Sequence, residues 1–175
     1  TRTMSERLSL ALTVALELWR DTGGAFDVTV GPLVNIWGFG PDKAVQWPPT
    51  ERSQLAAAAS VGMQHIELLP NRQIRKHLAT TYIDLSSIAK GQAVDEVSQT
   101  MASLECEHFL VDIGGEVRVS GLNSERRPWR VGVEVPSSGQ QGSVQRVLSV
   151  TDNSVATSGD YRNYRVVDGL RVDHV

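Results

Sequence analysis

The chain has 175 residues, of which 41% are hydrophobic and 21% are charged, and its formal net charge at pH 7 is −3. This composition is typical of a soluble globular protein, includes no apolar run of about 20 residues that could span a membrane, and lacks the basic excess that favours nucleic acid. The single cysteine, Cys106, excludes an internal disulfide framework and a thiolate metal cage, and we expect it to be buried.

The ends of the chain suggest that it is part of something longer. It begins at Thr1 without an initiator methionine or a recognisable signal peptide, and it stops inside a predicted strand. We therefore expect a single domain over residues 1–175 that is a fragment of a longer protein.

A helix is predicted over residues 5–20, because its apolar residues share one face and the glycines of residues 22–24 follow as a stop signal. The next stretch places Asp27 in an apolar setting, where a polar group needs a partner. Two interpretations remain open. Asp27 either caps the turn into a short helix that Pro32 opens, with Trp37 in the core, or it belongs to a ligand-binding wall with an aromatic face.

A short alanine-rich helix is predicted over residues 51–60, with Thr50 as its cap. Residues 64–69 and 73–78 then read as two strands of a hairpin that turns at residues 70–71. The basic side chains of this hairpin are expected to face solvent.

The chain is organised around residues 80–104. An extended apolar run, residues 82–85, is predicted to be a strand that leads into a helix opened by a serine cap. One stripe of this helix is expected to be buried, formed by Ile88, Gly91, Val94, Val97, Met101 and Leu104.

The first turns of this helix carry small side chains together with Lys90, and Asp84 and Asp95 lie on either side. Unpaired amide hydrogens at a helix start favour anions, so the pattern is compatible with an anion site to which Lys90 adds a positive charge. Taken alone, the pattern favours the other interpretation, a capped helix that packs its small residues against a sheet and leaves Lys90 in solvent.

Strands are predicted next over residues 109–113, 116–121, 129–136 and 143–150, followed by a hairpin over residues 164–175 that turns at Asp168-Gly169. The glycine pair at residues 114–115 permits either a tight turn or a bare backbone against which a flat ring can lie. Small hydroxyl side chains follow at residues 157–158, beside Asp160.

These stretches, in this order, resemble the ApbE family, the FAD:protein FMN transferases once labelled thiamine biosynthesis lipoproteins. The matching blocks are GAFDVTVGPLV at 24–34, DLSSIAKG at 84–91 with Val94-Asp95, DIGGEVR at 112–118, WRVGV at 129–133 and VATSGDYR at 155–162, followed by His174. The resemblance implies an α+β fold of the T-fold type, with a mostly antiparallel sheet and packed helices.

The resemblance also implies an activity. Such enzymes use Mg2+ to move the FMN half of FAD onto a threonine hydroxyl of a target redox protein, and they release AMP. The targets are typically exported subunits of membrane redox pumps, which implies a membrane-associated lipoprotein at the periplasmic face of the inner membrane or at the cell surface. Phosphoryl transfer requires charge neutralisation and alignment more than covalent help from the protein, which agrees with the residues above.

Residue by residue, the resemblance implies an FAD cleft formed by Asp27, Lys90, Asp95, Gly114, Gly115, Thr157, Ser158 and Asp160. It implies that the carbonyl of Ala89 is one Mg2+ ligand and that His174 is the base for the attacking threonine. An unperturbed histidine titrates near pH 6.5, so His174 could accept this proton without a large shift of its pKa.

The chain departs from the family pattern in three places. The segment after His174 is absent, including the aspartate and threonine that complete the family's metal site, and so is the N-terminal part with the export signal. Ser86-Ser87 stands where glycine is more common. We therefore expect the 175-residue piece alone to bind Mg2+ poorly and to transfer little FMN. Three alternatives remain: Mg2+-dependent hydrolysis of FAD to FMN and AMP, a flavin-binding or scaffold module without turnover, and a domain without a ligand.

Overall fold

A computed structural model of the protein describes residues 1–41, 46–136 and 142–173. The chain divides into two compact units, Thr1–Ile88 and Ala89–Val175, and the boundary falls in the first turn of a helix that begins at Ser86. The prediction of one domain stays a prediction.

Helices and a small antiparallel sheet make up the first unit. The helices are α1 at Glu6–Asp21, α2 at Gly31–Ile36 and α3 at Glu51–Ala58, with a 3-10 turn at Met63–His65. The strands are β1 at Arg2–Thr3, β2 at Ile66–Leu69 and β3 at Gln73–Lys76, in the order β1-β3-β2. The predicted hairpin of β2 and β3 is confirmed.

The core of the first unit lies under α1. The Ser5 hydroxyl accepts a hydrogen bond from the Leu8 amide at 3.2 Å, which satisfies one of the unpaired donors at the helix start. Leu12 and Ala15 are fully buried, as the apolar periodicity predicts. The buried cluster comprises Met4, Leu12, Ala15, Val28, Met63 and Ile66.

The central helix, α4, spans Ser86–Ser103. The residues before it correct two expectations. Residues 82–85 do not form a strand, and the Asp84 amide donates to the Val28 carbonyl at 2.7 Å. The first helical amide, that of Ser86, donates to the Asp84 carboxylate at 2.9 Å, and the Ser86 hydroxyl donates to the same oxygen. An aspartate therefore supplies the cap that was expected of a serine.

The predicted buried stripe of α4 is only partly correct. Val94 is buried, but Val97 is 43% exposed and Leu104 is 67% exposed, while the buried Ser98 hydroxyl donates to the Val94 carbonyl at 2.7 Å. Cys106, expected to be buried, is partly exposed. These exposed side chains show that apolar periodicity identified the helix better than it identified the covered face.

Antiparallel strands dominate the second unit. They are β4 at Phe109–Ile113, β5 at Glu116–Ser120, β6 at Trp129–Glu134, β7 at Val144–Val150, β8 at Ser154–Val155, β9 at Tyr164–Val167 and β10 at Leu170–Asp173. They pair in the orders β4-β5-β8, β6-β7 and β10-β9. The predicted α+β class with antiparallel sheets is confirmed, and no helix in the described residues is both long and apolar enough to cross a membrane.

Candidate functional site

A cleft of about 970 Å3 lies in the second unit. It is within the range of ligand-binding pockets, roughly 300–1,000 Å3. The cleft brings together residues that are far apart in the sequence and that the resemblance assigns to FAD: Lys90, Gly114, Gly115, Thr157, Ser158 and Asp160.

Lys90 reaches the turn between β4 and β5 from α4. Its ammonium nitrogen Nζ lies 3.2 Å from the Gly114 carbonyl oxygen and 2.7 Å from Glu116 Oε2, and it donates a hydrogen bond to each. The side chain is 47% exposed, whereas that of Glu116 is 19% exposed. Lys90 therefore presents a positive charge to the cleft, but Glu116 partly neutralises it.

The glycine pair forms a turn with a bare backbone. Gly114 and Gly115 have φ angles of +61° and +94°, a region that side chains with a Cβ rarely adopt. The Gly115 amide donates to Asp112 Oδ1 at 3.0 Å, which fixes the turn. A Cβ built on Gly115 would lie 3.8 Å from the Thr157 hydroxyl oxygen, so the bare backbone faces the segment with the small hydroxyl side chains.

A polar cluster joins this segment to the end of β6. Glu134 Oε2 accepts from the Tyr161 hydroxyl at 2.5 Å and from the Arg162 guanidinium, while Oε1 accepts from the Gly142 amide at 2.9 Å. The hydrogen bond from Tyr161, with help from Gly142 and Arg162, holds the pKa of Glu134 below its ordinary value. The same bond raises the pKa of Tyr161. The cluster thus connects Tyr161 and Arg162, the last residues of the cleft-lining segment 155–162, to β6.

Asp95 lies outside this cleft. Its carboxylate accepts from Arg118 Nη1 at 3.0 Å, and both residues line a second cavity of about 310 Å3 beside Ser98 and Phe109. The predicted contact of Asp95 with FAD therefore stays a prediction, without support from the cleft described above.

Asp27 belongs to the first unit, where both of its carboxylate oxygens accept hydrogen bonds from neighbouring residues. Oδ1 accepts from the Thr29 amide at 2.7 Å and from the Thr29 hydroxyl at 2.5 Å, and Oδ2 accepts from the Met63 amide at 3.1 Å. The Thr29 hydroxyl in turn accepts from the Gly62 amide at 2.6 Å. Asp27 thus caps the turn into α2, as the first of the two interpretations states, because its Oδ1 accepts from the Thr29 amide two residues further on; α2 itself has Val30 as its cap residue and no side-chain cap.

The predicted metal site can be tested against the described residues. Mg2+ binds through oxygen ligands, usually one or two carboxylates with water and substrate phosphates. No group of three acidic, histidine or cysteine side chains able to hold a metal occurs in the described ranges. Ala89 itself offers only a main-chain carbonyl, so these residues alone do not fit a Mg2+ cage. His174 lies outside the described residues.

Some residues in and around the two cavities were not predicted. Glu116 and Arg118 project from the same side of β5, opposite the buried Val117 and Val119, and each pairs with a charged residue of α4. The alternation of β5 predicts two faces, but it does not indicate which charges meet. Glu134 and Tyr161 are 27 residues apart, and no local pattern connects them.

The fold and the glycine-lined cleft define an α+β protein with a candidate ligand site in its second unit. Comparison with known proteins then gives its family: the ApbE family model matches residues 1–175. The chain belongs to the ApbE family.

Relatives are similar along nearly the whole chain. The FAD:protein FMN transferase of Vibrio cholerae is 46% identical over 167 residues, which are 94% of this chain and 49% of the relative. The FAD:protein FMN transferase of Salmonella typhimurium is 38% identical over 175 residues, which are 98% of this chain and 50% of the relative. The chain thus spans about half the length of the curated relatives it matches.

Solved structures share the fold. The flavin transferase ApbE from Vibrio cholerae matches with a TM-score of 0.83 and 41% identity, over 94% of this chain and 53% of that one. The ApbE protein of Thermotoga maritima matches with a TM-score of 0.84 and 32% identity, over 98% of this chain and 55% of that one. The predicted ApbE architecture is confirmed.

Proposed function

We propose that this chain carries the FAD-binding cleft of an FAD:protein FMN transferase. The observation that carries the proposal is the position of Lys90, whose Nζ lies 3.2 Å from the carbonyl of Gly114 in a turn of bare backbone that faces Thr157. A cation beside an open glycine turn suits two parts of FAD. The diphosphate needs positive charge, and the flavin ring needs a backbone that it can approach closely.

The reaction makes one bond and breaks another. The hydroxyl oxygen of an acceptor threonine attacks the phosphorus on the riboflavin side of the FAD diphosphate. The bond from that phosphorus to the oxygen bridging the two phosphates breaks, and AMP leaves with this oxygen. The hydroxyl proton passes to a base, and the products are a protein with FMN in phosphoester linkage to threonine, and AMP.

The described residues supply binding and alignment for this reaction. Lys90 offsets negative charge on the diphosphate, and the turn at Gly114 and Gly115 leaves room for the flavin ring. Thr157 and Ser158 offer hydroxyl groups to the polar edge of that ring, because both line the cleft and are exposed. Such positioning is the main contribution that proteins make to phosphoryl transfer.

Two parts of the proposal depend on groups beyond those described. Mg2+ would neutralise charge on the phosphates when bound, but the described residues do not form its site. His174 remains the predicted base.

The proposal also includes an exported location, at the membrane or at the cell surface. It includes an acceptor that is a subunit of a redox protein.

The test is an incubation of the full-length protein with FAD and Mg2+, with and without an acceptor that carries a target threonine. We expect flavin covalently attached to the acceptor and one AMP released for each flavin attached. AMP and free FMN without covalent flavin would support FAD hydrolysis instead. Retained FAD without AMP would support a binding module, and no retention of FAD would contradict the proposal.

A further inference from the structure

The charged side chains that line the cleft are mostly compensated by partners. Lys90 pairs with Glu116, and Asp160 lies 3.5 Å from a guanidinium nitrogen of Arg171. Arg162 pairs with Glu134, whose other oxygen is taken by a backbone amide. Asp112 also lines the cleft; its Oδ1 accepts from the Gly115 amide, and no ion pair to it occurs among the described residues.

Arg130 is different. It lies on β6 and lines the cleft, its side chain is exposed, and the described part of the chain provides no ion pair or hydrogen bond for its guanidinium. Its cross-strand neighbour is the uncharged Ser149. Gly132, two residues further along the same side of the strand, adds no side chain that could cover it.

The nearest carboxylate on the same side of β6, that of Glu134, cannot pair with Arg130 without losing the hydrogen bonds that it already accepts. Glu134 is four residues along the strand, and both of its oxygens already accept hydrogen bonds, from Tyr161, Arg162 and Gly142. The cleft thus contains a planar cation with five donors and no internal acceptor among the described residues.

We infer that Arg130 binds the diphosphate of the dinucleotide that occupies this cleft. The inference rests on the proposed function and adds a phosphate-binding residue to it. A guanidinium presents two parallel N–H donors to two phosphate oxygens, a geometry that a lysine cannot reproduce. Since Glu116 already offsets the charge of Lys90, Arg130 is the cation of the cleft that no ion pair among the described residues offsets.

The experiment compares ligands with and without phosphate on the full-length protein. FAD and riboflavin are titrated into the wild type, Arg130→Gln and Arg130→Lys, and binding is followed by flavin fluorescence. We expect Arg130→Gln to weaken FAD binding about tenfold, to leave riboflavin binding within about twofold, and to flatten the dependence of FAD affinity on salt concentration. Arg130→Lys should lie between the wild type and Arg130→Gln.

The control is Arg146→Gln. Arg146 is an exposed arginine on β7 that does not line the cleft, so its replacement should leave FAD affinity unchanged. Unchanged FAD affinity in Arg130→Gln, or an equal loss of FAD and riboflavin binding in both Arg130 variants, would overturn the inference. A wild type that binds FAD but never labels an acceptor would overturn the proposed transfer and leave this test valid, whereas a wild type that binds no FAD would overturn both.

Discussion

Lys90 and Glu116, 26 residues apart in the chain, form an ion pair of 2.7 Å beside the glycine turn of the cleft. An anionic ligand at Lys90 must therefore compete with a carboxylate that is already in place. The pair has two opposite effects on such a ligand, since the lysine attracts it and the glutamate repels it.

The first prediction separates these effects. Lys90→Ala should weaken FAD binding by about tenfold and reduce acceptor labelling, whereas Glu116→Gln should strengthen FAD binding by about two- to fivefold, because an exposed ion pair is worth about 0.2–1 kcal/mol. Glu67→Gln, which removes an ion pair of 2.8 Å with Arg75 on the β2–β3 hairpin, is the control. Undiminished FAD binding and labelling in Lys90→Ala would contradict a phosphate contact.

The second prediction concerns the bare turn. Gly115→Ala and Gly169→Ala place a Cβ at φ angles of +94° and +81°, so each should cost about 1–2 kcal/mol of stability. Gly169 turns the β9–β10 hairpin, and a Cβ there would meet no atom within 4 Å. Only Gly115→Ala should also weaken FAD binding, because its methyl group occupies the space beside Thr157. Denaturant unfolding and FAD titration measure the two effects, and equal affinities would argue against a ring at this turn.

The third prediction uses the pKa shifts in the Glu134 cluster. The lowered pKa of Glu134 contributes stability above about pH 4.5, which is lost as the pH falls through its value in the folded protein. The raised pKa of Tyr161 contributes stability below about pH 10, which is lost as the pH rises through its folded value. Tyr161→Phe should therefore lower the melting temperature by a few degrees at neutral pH, and the difference from the wild type should shrink at both extremes.

Melting curves at acidic, neutral and alkaline pH test this expectation. Tyr82→Phe, at an exposed tyrosine of the first unit, is the control and should show no such pH dependence. A loss of stability in Tyr161→Phe that is the same at all pH values would mean that the hydroxyl acts by packing alone.

The fourth prediction concerns Asp27. Asp27→Ala removes the acceptor for the amides of Thr29 and Met63, two residues that are 0% and 1% exposed, and should cost about 2–3 kcal/mol of stability. Asp27→Asn keeps one acceptor oxygen and should cost less. Chemical denaturation measures the loss. If Asp27→Ala instead keeps its stability and loses FAD binding, the ligand-wall interpretation is the correct one.

The fifth prediction compares two buried threonines. Thr81 is 2% exposed and its hydroxyl finds no hydrogen-bond partner within the described ranges, so Thr81→Val should be neutral or stabilise by about 1 kcal/mol. Thr29→Val removes a hydroxyl that donates to Asp27 and accepts from Gly62, and should cost about 1–3 kcal/mol. Equal effects in denaturant unfolding would be inconsistent with the different bonding of the two hydroxyls.

Local patterns predicted most of the elements. The first helix follows from apolar periodicity with the Ser5 cap, and the last hairpin follows from Asp168 and Gly169, which both adopt the positive φ angles of a tight hairpin turn. The strand predicted over residues 82–85 is not observed, because a short apolar run favours a strand but only a neighbouring strand makes it part of a sheet. The two-residue strand β8 is too short for any pattern to indicate.

The sequence predicted the glycine turn of the candidate site but not the polar contacts around it. The turn at Gly114 and Gly115 could be predicted from the sequence, because consecutive glycines between two strands indicate a backbone with positive φ angles. The ion pair between Lys90 and Glu116 could not be predicted, since it depends on where β5 places Glu116 relative to α4. The bond between Glu134 and Tyr161 depends in the same way on chain packing over a long separation.

Trp129, which precedes the cleft residue Arg130 on β6, gives the second unit an optical reporter. Its indole nitrogen donates to the Ser120 carbonyl at 3.0 Å, which holds the ring in one orientation, whereas the other three tryptophans, Trp19, Trp37 and Trp47, belong to the first unit. Replacing those three with phenylalanine would leave a single tryptophan, in the unit that contains the cleft. Energy transfer from that indole to a bound isoalloxazine would then quench its emission, so occupancy could be followed in real time without a label.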